Sequence, residues 1–347
     1  MSASNDDPIP VAVIGAGRMG RHHARIYHEL PTAQLLAIVD RDDERAGELA
    51  DRYGCEPLAE IDDLLARFPA VRAASIATPT AFHESCAAPL LERSIACLIE
   101  KPLAGSVESA RRIVELARLH RTLVQVGHSE RFNPAVRAIS ELDIHPRFIE
   151  VDRVSPMTFR SIDVGVVFDI MIHDIDITLM MARSPLREVR ASGVAVLGEH
   201  EDVANARLEF EDGCVANLTA SRLALKTERR LRVFSETSYI SLNYAAKTGV
   251  IMQRTDNDAA LGDVRRQIAA GADLSDLDYT KLVNIREISI NDEEPLKAEL
   301  SNFLDAAAGR AKPAVDAEAG CAAVETAERV VAAIRSHRWS GLEGTRI

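Results

Sequence analysis

Apolar positions in the first third of the chain fall in short runs, separated by longer stretches in which apolar and polar residues mix at helical spacing. Residues 9–14 are a run of strand-forming side chains, followed by Gly15-Ala16-Gly17-Arg18-Met19-Gly20 and a polar, helix-like stretch through Leu30. The strand signal returns at 35–39, 73–78, 96–100 and 122–127. Between these runs, 44–53 (closed by Gly54), 83–93 and 106–120 read as helices. Strands spaced by helices of about 10 to 15 residues imply a parallel sheet covered on both faces, because each connection must cross over the sheet. The pattern predicts a doubly wound parallel α/β domain over residues 1–128.

After Pro146 strands follow one another without intervening helices, at 147–154, 188–197, 231–235, 239–244, 249–254 and 284–290. A hairpin of 204–210 and 215–220 turns at Asp212-Gly213. One helix at 167–182 interrupts the strands, and 295–308 and 317–336 read as two closing helices. Residues 129–347 are therefore expected to form a second α/β domain with an open, largely antiparallel sheet, in which 256–278, rich in Asp, Gly and Ala, is an exposed excursion.

Composition narrows the classes. The 347 residues are 47% hydrophobic and 27% charged, an ordinary globular balance, and the length suits about two domains. A formal charge of −12, with no run of five like charges, argues against nucleic acid or an anionic membrane as partner. No apolar stretch approaches about 18 residues, and the opening carries Asp6, Asp7 and two prolines where a signal peptide needs a basic end and an apolar run, so a cytoplasmic protein is expected. Cys55, Cys86, Cys97, Cys214 and Cys321 lack zinc-ligand spacing and are read as reduced thiols, and no metal is expected.

The candidate chemistry starts at the glycines. Gly15, Gly17 and Gly20 stand between a strand and a helix at the head of an alternating series, the context in which they mark a dinucleotide site with the pyrophosphate at the helix N-terminus. Asp40 lies 20 residues past Gly20 at the end of the second strand, where a carboxylate holds ribose hydroxyls and repels a 2′-phosphate. NAD is expected ahead of NADP, with Arg41 beside Asp40 softening the choice.

Glu100-Lys101-Pro102 closes a parallel strand at the ligand-binding edge. Lys101 is either a donor to a substrate hydroxyl, stabilising oxygen charge as hydride leaves, or a surface loop lysine. A cis bond before Pro102 is accessible. Asp169, His173 and Asp176 fall at i, i+4 and i+7 of the helix among many apolar neighbours. His173 is either a proton acceptor oriented by Asp169 or a satisfied core histidine. In the polar segment 127–134, His128, Arg131 and Asn133 contact nicotinamide, substrate or phosphate, or hold a hinge. His22 and His23 read as surface residues on the pyrophosphate side.

The motifs Gly15-Ala16-Gly17-Arg18-Met19-Gly20, Ala77-Thr78-Pro79, Glu100-Lys101-Pro102 and Asp169-x-x-x-His173-x-x-Asp176, in this order, are similar to the glucose-fructose oxidoreductase, inositol dehydrogenase and rhizopine catabolism family (Gfo/Idh/MocA). The resemblance covers essentially the whole chain. It implies an N-terminal Rossmann domain, a C-terminal α/β domain whose open sheet forms a homodimer or homotetramer, and NAD(P)-linked oxidation or reduction of sugar-like alcohols. Carried over by position, Lys101, Asp169 and His173 are catalytic. Gly15, Gly17, Arg18, Met19, Gly20, Asp40 and Arg41 take the dinucleotide, with Thr78, Pro79, His83, Glu100 and Lys101 near its riboses. Lys101, His128, Arg131, Asn133, Asp169 and His173 meet the substrate.

Within the family, 126–134 and 169–176 look most like the UDP-N-acetylglucosamine 3-dehydrogenases, which make a 3-keto sugar nucleotide for a partner aminotransferase. The implied reaction is NAD-dependent oxidation of a ring hydroxyl, at C3 of UDP-N-acetylglucosamine. Alternatives are a polyol of the inositol type, a non-catalytic dinucleotide-binding regulator and an NAD-dependent glycosidase. Ile170-Met171-Ile172, where many relatives carry a glycine, and Val166-Val167-Phe168, in place of a glycine run, mark a subgroup with its own pocket.

Overall fold

Six parallel strands, β1 (Ile9–Ile14), β2 (Ala33–Val39), β3 (Glu56–Leu58), β4 (Ala73–Ile76), β5 (Ala96–Glu100) and β6 (Val124–Gly127), lie in the order β3-β2-β1-β4-β5-β6 in the computed structural model of the chain. The structure describes residues 7–338 apart from 141, 143, 159–163, 245, 255–257, 274–281, 289 and 291. The order reverses between β1 and β4, the switch point at which doubly wound sheets bind ligands beyond their C-terminal strand ends. Helices α1 (Arg18–Glu29), α2 (Asp43–Tyr53), α3 (Ile61–Arg67), α4 (His83–Leu91) and α5 (Val107–His120) connect the strands. Their ends are set locally: Asp42 accepts the Arg45 N–H at the start of α2, and Ser106 accepts the Ser109 N–H at the start of α5. The expected doubly wound domain is present; β3 and α3, which the periodicity did not reveal, complete it.

The second sheet has eight strands. These are β7 (Phe148–Val154), β8 (Leu186–Val194), β9 (Val203–Phe210), β10 (Val215–Ser221), β11 (Glu228–Phe234), β12 (Ser238–Asn243), β13 (Thr248–Arg254) and β14 (Val283–Glu287), in the order β14-β13-β12-β11-β7-β10-β9-β8. Among the described residues only β7 and β10 of this sheet pair in parallel, so the sheet is largely antiparallel, as expected. Alternation along β7 buries Ile149, Val151 and Arg153 on one face and leaves Glu150 and Asp152 on the other, where they meet Arg232 at 2.8 Å and Arg230 at 2.9 Å. Helix α6 (Pro134–Ser140) precedes the sheet, and α7 (Ile172–Ala182) follows a turn of π-helix over Val167–Met171. The expected exposed excursion carries helix α8 (Asp258–Ala269) and is exposed over most of 262–273; 256–257 and 274–278 of that segment lie outside the described residues.

The chain then returns. Contacts divide it into one unit of Met1–Asn133 with Glu293–Arg329 and another of Pro134–Asp292 with Val330–Ile347. The single boundary expected between 128 and 129 does not include this return. Its cause is apolar: Leu300, Phe303 and Leu304 of α9 (Pro295–Ala307) are buried in one cluster with Ile9, Val11, Tyr27 and Leu98 of the first unit. Beyond α9, Val315 accepts the Val126 N–H at 2.9 Å and Asp316 bridges Gln125, so the backbone covers the open edge of β6. Helix α10 (Ala317–Ser336) sets Gly320 against Val126, where a Cβ would stand 2.5 Å from the valine methyl. Among the described residues no helix is long and apolar enough to cross a membrane.

Candidate active site

The turn after β1 is built for close approach. Gly15 has φ +101°, and a Cβ on it would lie 2.8 Å from the Ala77 carbonyl. A Cβ on Gly20 would lie 1.7 Å from the Gly15 oxygen, so α1 packs directly on the turn. Gly17 differs from both. It caps α1 with no side-chain hydrogen bond, and a Cβ there would meet nothing within 4 Å. The unpaired N–H groups of the first turn, which carries exposed Arg18 and half-buried Met19, therefore face open space, the arrangement that takes a pyrophosphate.

Asp40 ends this unit's second strand and braces the turn: its Oδ2 accepts the Ala16 N–H at 2.6 Å and its Oδ1 the Asp42 N–H at 2.9 Å. Beside it opens a cavity of about 520 Å³, walled by Gly15, Gly17, Asp40, Arg41, Thr78 and Pro79 among others. Arg41 lies 3.5 Å from Glu60, which also lines the cavity, so the cation that could soften the preference for NAD has a carboxylate partner. The open N-terminus, the cavity and the carboxylate at its wall fit an NAD molecule with its adenosine over β1 and β2. Gly15, Gly17, Gly20 and Asp40 would hold it.

On the other side of the switch point, β5 ends at Glu100, and half-buried Lys101 follows with a cis peptide to Pro102. His83 is buried behind this loop, its Nδ1 3.0 Å from the Pro102 carbonyl oxygen and its Nε2 3.1 Å from that of Thr78. It ties the end of β4 to the Lys101 loop and does not wall the cavity. Burial pushes His83 below its ordinary value of 6.5, against the opposing pull of the Thr78, Leu103 and Pro102 carbonyls.

His23 is a correction. It was expected at the surface and is fully buried, with Nε2 3.0 Å from Glu100 Oε1. The stripe of Gly20, His23, Ala24 and Tyr27, at i, i+3, i+4 and i+7, is the inward face of α1 and could have shown this. Further along the same face the Tyr27 hydroxyl meets Ser75 Oγ at 2.6 Å and is raised well above its ordinary value by burial, with the charges of Glu299 and Glu100 adding to it. After β6, His128 is buried, while Arg131 and Asn133 are half-buried in a short 3-10 turn in which Asn133 donates to Glu130 at 3.1 Å.

In the second unit, Asp169 lies inside the π turn and His173 at the start of α7. The Ile172 N–H reaches back five residues to the Val167 carbonyl, which shifts the helical phase. Asp169 and His173 are half-buried, and Asp176, three residues after His173 in α7, is 1% exposed. Buried charges hold this helix. Arg153 of β7 grips Asp174 through Nε and Nη2 at 2.8 to 3.0 Å, and the entry is tied by Glu201, whose backbone oxygen accepts the Val166 N–H and whose carboxylate accepts the Val167 N–H. Arg222 pairs with Asp202 at 2.6 Å and donates to the Val164 carbonyl at 2.8 Å. Burial pushes Asp202 up, but the Leu197 and Val196 N–H groups and Arg222 outweigh it and hold the carboxyl below its ordinary range. Sequence reading passed over Arg153 and Asp174. The signal was an arginine at an inward position of an alternating strand.

Residues 9–128 match the model of an oxidoreductase family with an NAD-binding Rossmann fold, and 146–241 match the GFO/IDH/MocA C-terminal domain. UDP-N-acetylglucosamine 3-dehydrogenase of Acidithiobacillus ferrooxidans is 36% identical over 243 residues, 70% of this chain and 76% of that protein. The chain belongs to the Gfo/Idh/MocA family. It is an NAD-binding oxidoreductase of that family, as the four motifs implied. A solved structure of the Acidithiobacillus enzyme superimposes with a TM-score of 0.82 at 31% identity, covering 94% of this chain and 98% of that one. This Gfo/Idh/MocA member is also 35% identical over 204 residues to inositol 2-dehydrogenase of Rubrobacter xylanophilus, across 55% of this chain and 57% of that protein. A levoglucosan dehydrogenase in complex with NADH shares the fold, with a TM-score of 0.77 at 18% identity.

Proposed function

We propose that this oxidoreductase oxidises the C3 hydroxyl of UDP-N-acetylglucosamine to the 3-keto sugar nucleotide. The observation that carries the reading is the likeness to the Acidithiobacillus enzyme, 36% identical over 70% of this chain, with Lys101, Asp169 and His173 present at the motif positions. NAD, bound by the turn of Gly15, Gly17 and Gly20 and by Asp40, supplies the hydride acceptor. The Lys101 ammonium donates a hydrogen bond to the reacting oxygen and stabilises the charge that grows on it as the carbon loses hydride. His173 accepts the hydroxyl proton on its imidazole, and Asp169 orients that ring. His128, Arg131 and Asn133 bind the sugar nucleotide. The Thr78, Pro79 and His83 region supports the riboses, His83 by holding the backbone around Lys101.

A 3-keto sugar is disposed to react with an amine, so an aminotransferase is the partner that would consume it, in the cytoplasm, with the enzyme itself a homodimer or homotetramer through its open sheet. Likeness to inositol 2-dehydrogenases favours a polyol as the second reading.

The test is NADH formation with UDP-N-acetylglucosamine, UDP-glucose and inositol, each with an amine trap or aminotransferase to draw off the ketone. Turnover with the N-acetyl sugar nucleotide alone is expected, and turnover with inositol alone would move the assignment to the polyol. Glycoside cleavage without net NADH would identify the glycosidase, and NAD binding with no turnover on any substrate the regulator. Lys101→Ala and His173→Ala are each expected to lower kcat by about 10²- to 10⁴-fold, with NAD affinity within about threefold; loss of NAD affinity with kcat retained at saturation would overturn the assigned roles.

A further inference from the structure

We propose that His23 is a positioning residue for the half of the dinucleotide beyond the pyrophosphate, acting through the Glu100 carboxylate. The inference deepens the NAD reading and rests on it. His23 is 0% exposed, and Glu100 Oε1 lies 3.0 Å from its Nε2, a close polar contact without hydrogen-bond geometry, so among the described residues Nδ1, Nε2 and that Oε1 are all buried without a hydrogen-bond partner. Gly127 closes the other side of the same oxygen: a Cβ there would stand 3.0 Å from Oε1 and 3.0 Å from the Glu100 Cα. Glu100 is thus boxed between an imidazole and a strand backbone, yet its side chain keeps 11% exposure.

Topology says what that exposed remainder faces. Glu100 is the last residue of β5, at the ligand-binding edge of the sheet and across the switch point from the Asp40 cavity. A dinucleotide whose adenosine lies over β1 and β2 runs its pyrophosphate past the α1 N-terminus and its second ribose toward β4 and β5. The polar groups of that ribose are hydroxyls, which donate to a carboxylate. A carboxylate that is to accept from one direction needs its rotamer fixed. The imidazole packed 3.0 Å behind one oxygen, with Gly127 on the other side, restricts that rotamer, as outer groups orient the ligands of a metal. His23 also stands edge-on to Tyr27, with ring centroids 6.5 Å apart, and Lys101 is the next residue after the carboxylate it contacts.

The competing possibility is that His23 only fills space under α1. Because α1 opens from the glycine turn, that role would weaken every ligand of the turn alike. Calorimetric titration of the purified protein with NAD, ADP-ribose and ADP separates the two, since ADP lacks the second ribose. His23→Leu is expected to weaken NAD and ADP-ribose about tenfold, as the carboxylate loses its fixed direction, and to leave ADP within about twofold. His23→Gln, which keeps a polar side chain of similar length against the carboxylate, is expected to recover most of the loss. In a Glu100→Gln background, His23→Leu is expected to add nothing. Equal weakening of all three ligands, unchanged NAD affinity, or full additivity with Glu100→Gln would each overturn the proposal. If His23→Leu does not fold, His23→Asn with the same three ligands decides by the same criteria. The unmodified protein is titrated first: failure to bind NAD would overturn the cofactor reading itself.

Discussion

One methyl group separates two roles within the turn that opens the nucleotide site. At Gly20 it would stand 1.7 Å from a backbone oxygen, and at Gly17 it would touch no protein atom within 4 Å. Gly20→Ala is therefore expected to lower Tm and NAD affinity together, because the α1 N-terminus must move. Gly17→Ala is expected to leave Tm within about 2 °C while weakening NAD more than tenfold, since its Cβ enters only the space the pyrophosphate would take. Thermal melts and calorimetry on the two variants would show this split, and a fall in Tm for Gly17→Ala would contradict it. His83 gives a second prediction at this scale. Burial depresses its folded-state value below the ordinary 6.5, so the unfolded chain takes up the proton first as pH falls. The stability it contributes is complete above about 6.5 and is lost as pH drops through the depressed folded value. Tm of the native chain should fall over that window more steeply than Tm of His83→Gln, and equal slopes would remove His83 as the cause.

The helix that carries His173 shows where an element's geometry departs from its sequence pattern. Spacing at i, i+4 and i+7 placed Asp169, His173 and Asp176 on one face, and α-helical geometry would do so. The π turn at Val167–Met171 shifts Asp169 out of that phase, while His173 and Asp176, both in α7, keep it, and a five-residue turn leaves no hydrophobic period to read. By contrast β5, β6, α5 and the hairpin of β9 and β10 were legible, because each is long enough, or bounded sharply enough, for its period to show. β3 and α3 were not: a three-residue strand with two exposed positions and a seven-residue helix burying Leu64 and Leu65 carry too few apolar positions. The residues bearing the candidate chemistry were legible because unusual side chains sit at strand ends. The buried groups behind them, His23, Arg153 and Asp174, were not, because their partners lie 77, 21 and 21 residues away in the chain. Arg153→Met alone should destabilise the protein by about 3 to 5 kcal/mol, the cost of taking the guanidinium away from the buried Asp174 carboxylate. Arg153→Met with Asp174→Leu should recover most of that in urea unfolding, since well-packed apolar residues commonly replace a buried pair at little cost. A double variant as unstable as the single would show that packing, not the orphaned charge, sets the loss.

At the scale of the whole chain, the dinucleotide fold is not contained in its first third. The order of six parallel strands was written in the alternation of residues 9–127, but nothing local marks residues 293–329 as part of the same unit. An amphipathic helix declares that it has an apolar face and not which face it meets. The structure supplies the partner: Leu300, Phe303 and Leu304 are 0% exposed among β1, α1 and β5 side chains, and Val315 and Asp316 cap β6. At about 1.5 to 3 kcal/mol for each buried Leu or Phe, three such residues supply roughly 5 kcal/mol or more, comparable with the about 5 to 15 kcal/mol by which a domain is stable at all. Residues 1–133 expressed alone are therefore expected to lack a cooperative melt and to bind NAD weakly, although they contain every residue of the glycine turn, Asp40, Glu100 and Lys101. Joining residues 293–329 to them through a flexible linker should restore both the melt and NAD binding, with no residue of 134–292 present. Replacing Phe303 by Asp in that fusion should abolish the rescue, because a buried unpaired carboxylate cannot take the place of the ring. A cooperative, NAD-binding fragment of 1–133 alone would show that the return of the chain covers the sheet without being needed to form it.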